Sequence, residues 1–294
     1  MKKRLITLFV FAFCFLAVRG QEQSVENQIS ELIKDKRLTV GVAVLTDKKE
    51  MILYNDEVQY PLLSVFKLHV GLAVLDKMSR QNISLVDTIF VEASRLHPRT
   101  YSPLRDKYPN ENLLISLKDL LKYSIALSDN NACDILIDYV GGINYVRNYI
   151  SQLGINHFNL SETENTMHLG TENVYFNWSY PSETVRLMSM VEEKNLLAPA
   201  YRDFLWETMM ETTTGSNKLK GELPPEVVVG HKTGSSDRTP DGMKIADNDA
   251  GFVLLPDGRR YYIAMFIMNS YETDQTNAAV IARISRIVYD SFRR

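Results

Sequence analysis

The chain has 294 residues, 45% hydrophobic and 23% charged, which excludes a disordered chain and leaves room for one large domain or two intimate lobes around a sizeable core. Its formal net charge is −3, which excludes the basic surface that nucleic acid or an anionic membrane requires. No tandem repeat, heptad array or collagen-like pattern is present.

In chain order, Lys2, Lys3 and Arg4 form a basic head, residues 5–18 an almost unbroken apolar run, and Val18-Arg19-Gly20 a stretch that ends at a cleavage point before Gln21. This three-part layout is that of a secretory signal peptide over 1–20. The run is short for a bilayer span of about 20 residues, and it continues past Cys14, which argues against a lipoprotein signal. Removing 1–20 takes away four positive charges, Lys2, Lys3, Arg4 and Arg19, and moves the formal net charge from −3 to −7. Cys14 leaves with the signal, so Cys133 stands alone in the mature chain and cannot form an internal disulfide. It sits on an apolar helical stripe, where core packing is the expected role.

Ser24 can cap a helix over 25–36, with Ile29, Leu32 and Ile33 on one face. Two β-rich runs, 39–46 and 51–54, flank the polar Asp47-Lys48-Lys49-Glu50, which suggests a hairpin. From about 64 to 205 the pattern is mainly helical, with apolar residues at helical spacing in 65–78, 117–125, 131–140, 143–152 and 182–191. Strands return at 227–230, 250–255 and 261–268, the last two joined by the turn Pro256-Asp257-Gly258. An amphipathic helix over 278–292 closes the chain. Strands at both ends with helices between predict an α+β fold, one sheet formed by both chain ends and covered by helices, with a cleft beside a second, helical lobe. The expected division is a signal peptide 1–20 and a single domain 21–294, its α/β lobe formed by 21–60 and 206–294 and its helical lobe by 61–205.

Three short motifs carry chemistry. Ser64-Val65-Phe66-Lys67 opens a helical run and places a hydroxyl and an amine on one face; the amine can activate the hydroxyl as a nucleophile. Alone, it reads equally as a cap followed by a solvated lysine. Ser128-Asp129-Asn130 lies between helices, either as a cap cluster or as a loop presenting a hydroxyl and an amide to a cleft. Lys232-Thr233-Gly234-Ser235 follows an apolar strand, either as strand-end punctuation or as an edge strand that binds an anion, with Gly234 permitting close approach. The histidines His69, His97, His157 and His231 show no metal-ligand spacing.

Each motif occurs once, in this order, on helix, inter-helix loop and strand. Together they resemble the set of the class A serine β-lactamases and penicillin-binding proteins. The chain is similar to class A enzymes over essentially its whole mature length, closest to the branch of broad-spectrum cephalosporin-hydrolysing enzymes. A lactamase also needs a base that activates water, and the region between the second and third motifs offers Glu164. The family pattern Glu-x-x-x-Asn fits Glu164, with His168 where Asn is usual. The rival Glu162 leaves Thr166 at the polar partner position. Most of the family has Pro after this Glu, preceded by an Arg that pairs with a later Asp. Here Asn165, Glu162 and Asn177 stand at those places, so the usual loop brace is expected to be missing and the loop to follow another path.

The resemblance implies that Ser64 attacks the lactam carbonyl, with Lys67, or Glu164 through water, taking its proton. It implies that the N–H groups of Ser64 and Ser235 form the oxyanion hole and that Ser128 protonates the departing nitrogen. Asn130 would bond the substrate's side-chain amide, Lys232, Thr233 and Ser235 its carboxylate, and Tyr101 would stand at the cleft rim. Glu164, with His168 as a second partner for the water, would drive hydrolysis of the ester. No metal or organic cofactor is implied. The expected partners are small-molecule β-lactams, with no nucleic acid and no stable membrane association, acting on a monomeric periplasmic protein. A penicillin-binding DD-peptidase and a β-lactam sensor domain share the three motifs and are separated from a lactamase by the rate of deacylation.

Overall fold

The computed structural model describes residues 23–292; the expected signal peptide lies outside them. Five antiparallel strands form the main sheet, in the order Met51–Tyr54, Thr39–Leu45, Arg260–Ser270, Lys244–Leu254 and Val228–Ser235. Both chain ends contribute to it, as the sequence pattern predicts.

Alternation along the strands divides the core in two. Val40, Val42 and Val44, with Ile263, Met265 and Ile267, pack against Val25 and Ile29 of the first helix and Ile281, Ile284 and Val288 of the last. The intervening Ala43, Leu45, Ala264 and Phe266 face the larger core, which contains the helix Phe66–Gln81 and its neighbours. That helix is buried along most of its length and ends at Asn82 in a left-handed cap with φ 52°. Around it pack Leu117–Ile125, Asn130–Val140 and Ile143–Gln152.

The structure adjusts several expected boundaries. The helix Pro181–Glu193 packs on the central strands, and Pro199–Met210 packs on the edge strand Val228–Ser235. An expected lobe boundary at 205/206 falls inside that second helix, because its apolar face runs continuously onto the sheet. The strand expected over 250–255 extends back to Lys244, and the strand expected over 227–230 runs to Ser235. The motif Lys232-Thr233-Gly234-Ser235 therefore lies within the edge strand, as its anion-binding reading expects, and is not strand-end punctuation. Cys133 is fully buried, and burial raises its thiol pKa well above the ordinary value, which fits the packing role.

His69 lies on the core helix with no solvent exposure. Its ring stacks on Phe158 at 6.5 Å between centroids, next to the backbone of Val65 and Phe66. Burial lowers its pKa to about 4. The unfolded chain, with an ordinary imidazole near 6.5, therefore binds a proton that the folded chain refuses. Stability contributed by neutral His69 is complete above that unfolded pKa and is lost as the pH falls towards 4. We expect His69→Leu to flatten the acid limb by about 2–3 kcal/mol between pH 7 and pH 4.5, measured by urea unfolding of the variant and the parent at both pH values.

Candidate functional site

The cleft between the sheet edge and the helical lobe has a volume of about 1090 Å³ and is lined by Ser64, Ser128, Asn130, Glu164, Thr233 and Ser235. Ser64 sits in a one-turn 3-10 segment, Leu63–Val65, that leads into the core helix. Leu63 holds φ 46°, a left-handed conformation that costs a branched residue about 1–3 kcal/mol and turns the Ser64 hydroxyl into the cleft.

Lys67 is on the first turn of the helix and fully buried. Its Nζ donates to Ser64 Oγ at 2.6 Å and Asn130 Oδ1 at 2.7 Å, and it pairs with Glu164 Oε1. An ammonium has three donors, and all three are used. Ser64 Oγ also lies 3.3 Å from Glu164 Oε1. The nucleophile thus accepts from Lys67 and points its own proton at a carboxylate; Glu164 can receive that proton directly, and Lys67 can do so once it has passed one of its own to Glu164.

Ser128 also holds a left-handed backbone, φ 59°, and accepts from Lys232 Nζ at 2.8 Å. With its oxygen occupied by that donor, its own O–H is free to donate. Asp129 is structural: it caps the helix Asn130–Val140 through Ala132 N at 2.8 Å and accepts from Leu104 N and Ser102 Oγ. Asn130 donates one N–H to Thr100 Oγ1 at 2.7 Å and keeps the other. The loop that bears Thr100 and Tyr101 is pinned by Arg105, whose Nη1 donates to the carbonyls of His97, Pro98 and Thr100. Tyr101 itself is exposed at the cleft rim.

Lys232 is fully buried with only neutral partners, Ser128 Oγ and its neighbour's carbonyl, Thr233 O, at 2.8 Å. Burial, then the charge of Lys67, lowers its pKa well below the ordinary lysine value. Thr233 Oγ1 meets Thr214 Oγ1 at 2.7 Å. Gly234 is required here: a Cβ would lie 2.5 Å from Leu62 O and 3.1 Å from Ser64 N. Lys218 lines the cleft and pairs with Asp247 at 2.5 Å, whereas Lys220 is not among the lining residues.

Glu164 opens the short helix Glu164–Met167, capped by Thr163, and its carboxylate is buried against Lys67. Glu162, the rival, contributes its backbone instead: its N–H donates to Asn177 Oδ1 at 2.9 Å and its carbonyl accepts from Asn177 Nδ2 at 2.8 Å. Ser161 N donates to the same oxygen at 2.9 Å. A brace expected to be missing is therefore present in neutral form, because one buried amide satisfies three backbone groups at the place of the family's ion pair. Asn177 O also accepts from Leu62 N at 2.8 Å, tying the loop to the Ser64 segment. The described peptide bonds are all trans, Asn165 included.

His168 is exposed at the cleft wall, with Nδ1 2.6 Å from the main-chain oxygen of Glu164. Its hydrogen bond is to that carbonyl rather than to the carboxylate, so in the free protein it steadies the helix turn that carries Glu164. Asp134, which sequence reasoning missed, accepts from Glu164 N and Asn165 N at 2.8 Å each. Burial, followed by the Glu164 charge, raises its pKa to about 6. Its signal was a lone acid at helical spacing after Asn130 and Asn131, indistinguishable from a solvated face.

The comparisons with known proteins agree with this geometry. The model of the "Beta-lactamase enzyme family" matches residues 24–292. A β-lactamase of Bacteroides uniformis is 57% identical over 296 aligned positions, covering 100% of both chains. The extended-spectrum β-lactamase PER-1 of Pseudomonas aeruginosa is 35% identical over 96% of this chain and 92% of its own. A crystal structure of a class A β-lactamase from Bacteroides cellulosilyticus superposes with a TM-score of 0.89 at 57% identity, covering 91% of this chain and 96% of that one.

Asn177→Ala removes the acceptor of two backbone N–H groups and the donor to one carbonyl. Unpaired groups of this kind cost about 1–3 kcal/mol each when water cannot reach them. The expected outcome is a stability loss of about 2–4 kcal/mol and faster amide exchange confined to the loop and the adjoining Ser64 segment. Hydrogen–deuterium exchange mass spectrometry reads both; protection unchanged at Ser161 and Glu162 would contradict the brace.

Proposed function

The chain belongs to the β-lactamase enzyme family, and from that premise we propose how its residues divide the work of a class A serine β-lactamase, an enzyme that hydrolyses the β-lactam ring of penicillins and cephalosporins and so confers resistance. The observation that carries this reading is the convergence of Lys67 and Glu164 on Ser64 Oγ. A hydrolase needs a base for two successive proton abstractions at one place, first from the serine and then from water.

Ser64 Oγ attacks the lactam carbonyl while its proton passes to Lys67 or Glu164. The oxyanion is held by the N–H groups of Ser64 and Ser235, donors that act on charge present only at the tetrahedral stage. The C–N bond breaks as Ser128 gives its proton to the nitrogen; the proton taken from Ser64 makes up the one that Ser128 and its donor Lys232 supply, so that Glu164 is again a free carboxylate. Glu164 then takes a proton from water, which attacks the ester, and Ser64 leaves with its proton restored. Asn130 uses its remaining N–H on the substrate's side-chain amide. Lys232, Thr233 and Ser235 receive the carboxylate; Lys218 also lines the cleft, with its charge already paired to Asp247. Tyr101 and His168 border the substrate's side chain.

The DD-peptidase and sensor readings require an adduct that persists, and the contact between Glu164 and the nucleophile favours hydrolysis over both. Similarity to an enzyme described as extended-spectrum supports cephalosporins within the substrate range. We also propose export to the periplasm, release of residues 1–20, and action as a monomer.

Two outcomes are expected. Ser64→Ala abolishes covalent labelling by penicillin, while Glu164→Ala is still labelled but holds its adduct about 10²–10⁴ times longer than the parent, as followed by rapid-quench mass spectrometry. A parent adduct stable for many minutes would identify a peptidase or a sensor. Intact-mass measurement of the exported protein should give a chain beginning at Gln21; a retained or lipid-modified N-terminus would contradict the export reading.

A further inference from the structure

Asp247, Asn248 and Asp249 are consecutive polar residues, all buried, in the strand Lys244–Leu254. They stand opposite Ser235, Gly234 and Thr233 of the edge strand. Such a run is costly unless every group finds a partner, and each does. Asp247 pairs with Lys218, and Asp249 accepts from His231 Nδ1 at 2.9 Å and from Leu219 N at 3.1 Å. These two bind the segment that lies along the far side of the edge strand. Asn248 points to the other face. Its Nδ2 lies 2.7 Å from Pro61 O and 3.2 Å from Leu62 O, and its Oδ1 accepts from Ile267 N at 3.2 Å.

Those two carbonyls belong to the Pro61–Leu62 and Leu62–Leu63 peptides, the two that lead into the peptide bearing the Ser64 N–H. Gly234, the cross-strand partner of Asn248, makes its close approach to the same segment, at Leu62 O and Ser64 N. One pair of facing residues thus grips the nucleophile segment by its carbonyls and leaves room for it at the edge strand. Strained backbone at Leu63 persists only where the surroundings over-determine it, and Asn248 is the buried side chain that holds the entrance to that turn.

We propose that Asn248 is a positioning residue for the oxyanion hole: by fixing the Pro61 and Leu62 carbonyls it sets the orientation of the Ser64 N–H relative to the Ser235 N–H. This rests on the reading of Ser64 as nucleophile. Asn248 is placed to act through the backbone of Ser64, so its loss displaces a donor rather than deleting one. Misplacement by about 1 Å can cost up to 10²-fold in rate, and loss of an oxyanion donor about 10²–10³-fold.

The test uses Asn248→Ala, which removes both bonds, and Asn248→Asp, which keeps the shape and the acceptor for Ile267 N but lacks the N–H. Stopped-flow acylation by a chromogenic cephalosporin separates the acylation rate constant from the non-covalent dissociation constant. Infrared difference spectra of the penicillin acyl-enzyme, recorded in a Glu164→Ala background, report the ester carbonyl directly, because oxyanion-hole hydrogen bonds lower its stretching frequency. We expect acylation to fall about 10–100-fold in both variants, the dissociation constant to stay within about three-fold, and the ester band to move up or split. Acylation within two-fold of the parent, a loss confined to the dissociation constant, or slower acylation with an unmoved band each overturns the proposal. Should the aspartate variant fail to fold, the alanine variant carries the same three readouts. Ser64→Ala in parallel keeps the two readings apart: covalent labelling that survives it defeats the nucleophile assignment, whereas labelling lost there and an unmoved band in Asn248→Ala defeat only the positioning role.

Discussion

Lys67 carries three donors into a place without solvent, and the surrounding architecture follows from keeping them partnered. Its acceptors arrive from three parts of the chain: the turn Leu63–Val65, the helix Asn130–Val140 and the loop helix Glu164–Met167. Removing one partner from a buried ion pair costs about 3–5 kcal/mol, because a charge is left behind uncompensated. The three segments are therefore bound to one another through a single ammonium. That ammonium is also the group whose proton must move for Ser64 to attack if Lys67 is the base. Catalytic competence and local integrity rest on the same contacts.

Holding Glu164 against Lys67 requires a rigid loop, and the structure supplies rigidity by pairing the loop's backbone groups with side chains. Asn177 satisfies the backbone of Ser161 and Glu162, Asp134 receives the N–H groups of Glu164 and Asn165, and His168 meets the Glu164 carbonyl. Asp134 is the sensitive member. It lies beside Glu164, and burial together with that charge brings its pKa to about 6. Protonation there exchanges an acceptor-only carboxylate for a group with one donor, which weakens one of the two bonds to the loop.

The motif residues were legible because their spacing is a physical requirement. Ser64 and Lys67 must share a helical face, and Gly234 must lack a side chain. The sheet was legible from β-rich runs at both ends of the chain and the helical lobe from its apolar periodicity. The start of the strand Lys244–Leu254 was not, because Asp247, Asn248 and Asp249 read as a polar loop; their partners are distant in sequence and only the fold supplies them. Asn177 was read as a lost ion pair for a related reason. An amide in place of a carboxylate signals the loss of a charge, while its capacity to bond backbone on both its oxygen and its nitrogen depends on where the loop passes. The segment Lys232–Ser235 could be read as strand-end punctuation or as an edge strand, because Thr, Gly and Ser are turn formers; the ladder shared with a neighbouring strand decides for the edge strand.

Lys67 and Lys232 are both fully buried, yet their surroundings differ in one respect. Lys67 has a carboxylate against it, whereas the hydrogen-bond partners of Lys232 are a hydroxyl and a carbonyl. A desolvated cation without a counter-charge releases its proton readily, which is the direction in which Lys232 is displaced. On the proposed reading, an anionic substrate brings the missing charge. Its carboxylate stabilises the ammonium form of Lys232 on binding. The same proton is then held more firmly while the ring is intact and is adjacent to Ser128 when the nitrogen departs. Recognition and leaving-group protonation are thereby coupled through one buried amine, and Ser128 with its constrained backbone is the bridge between them.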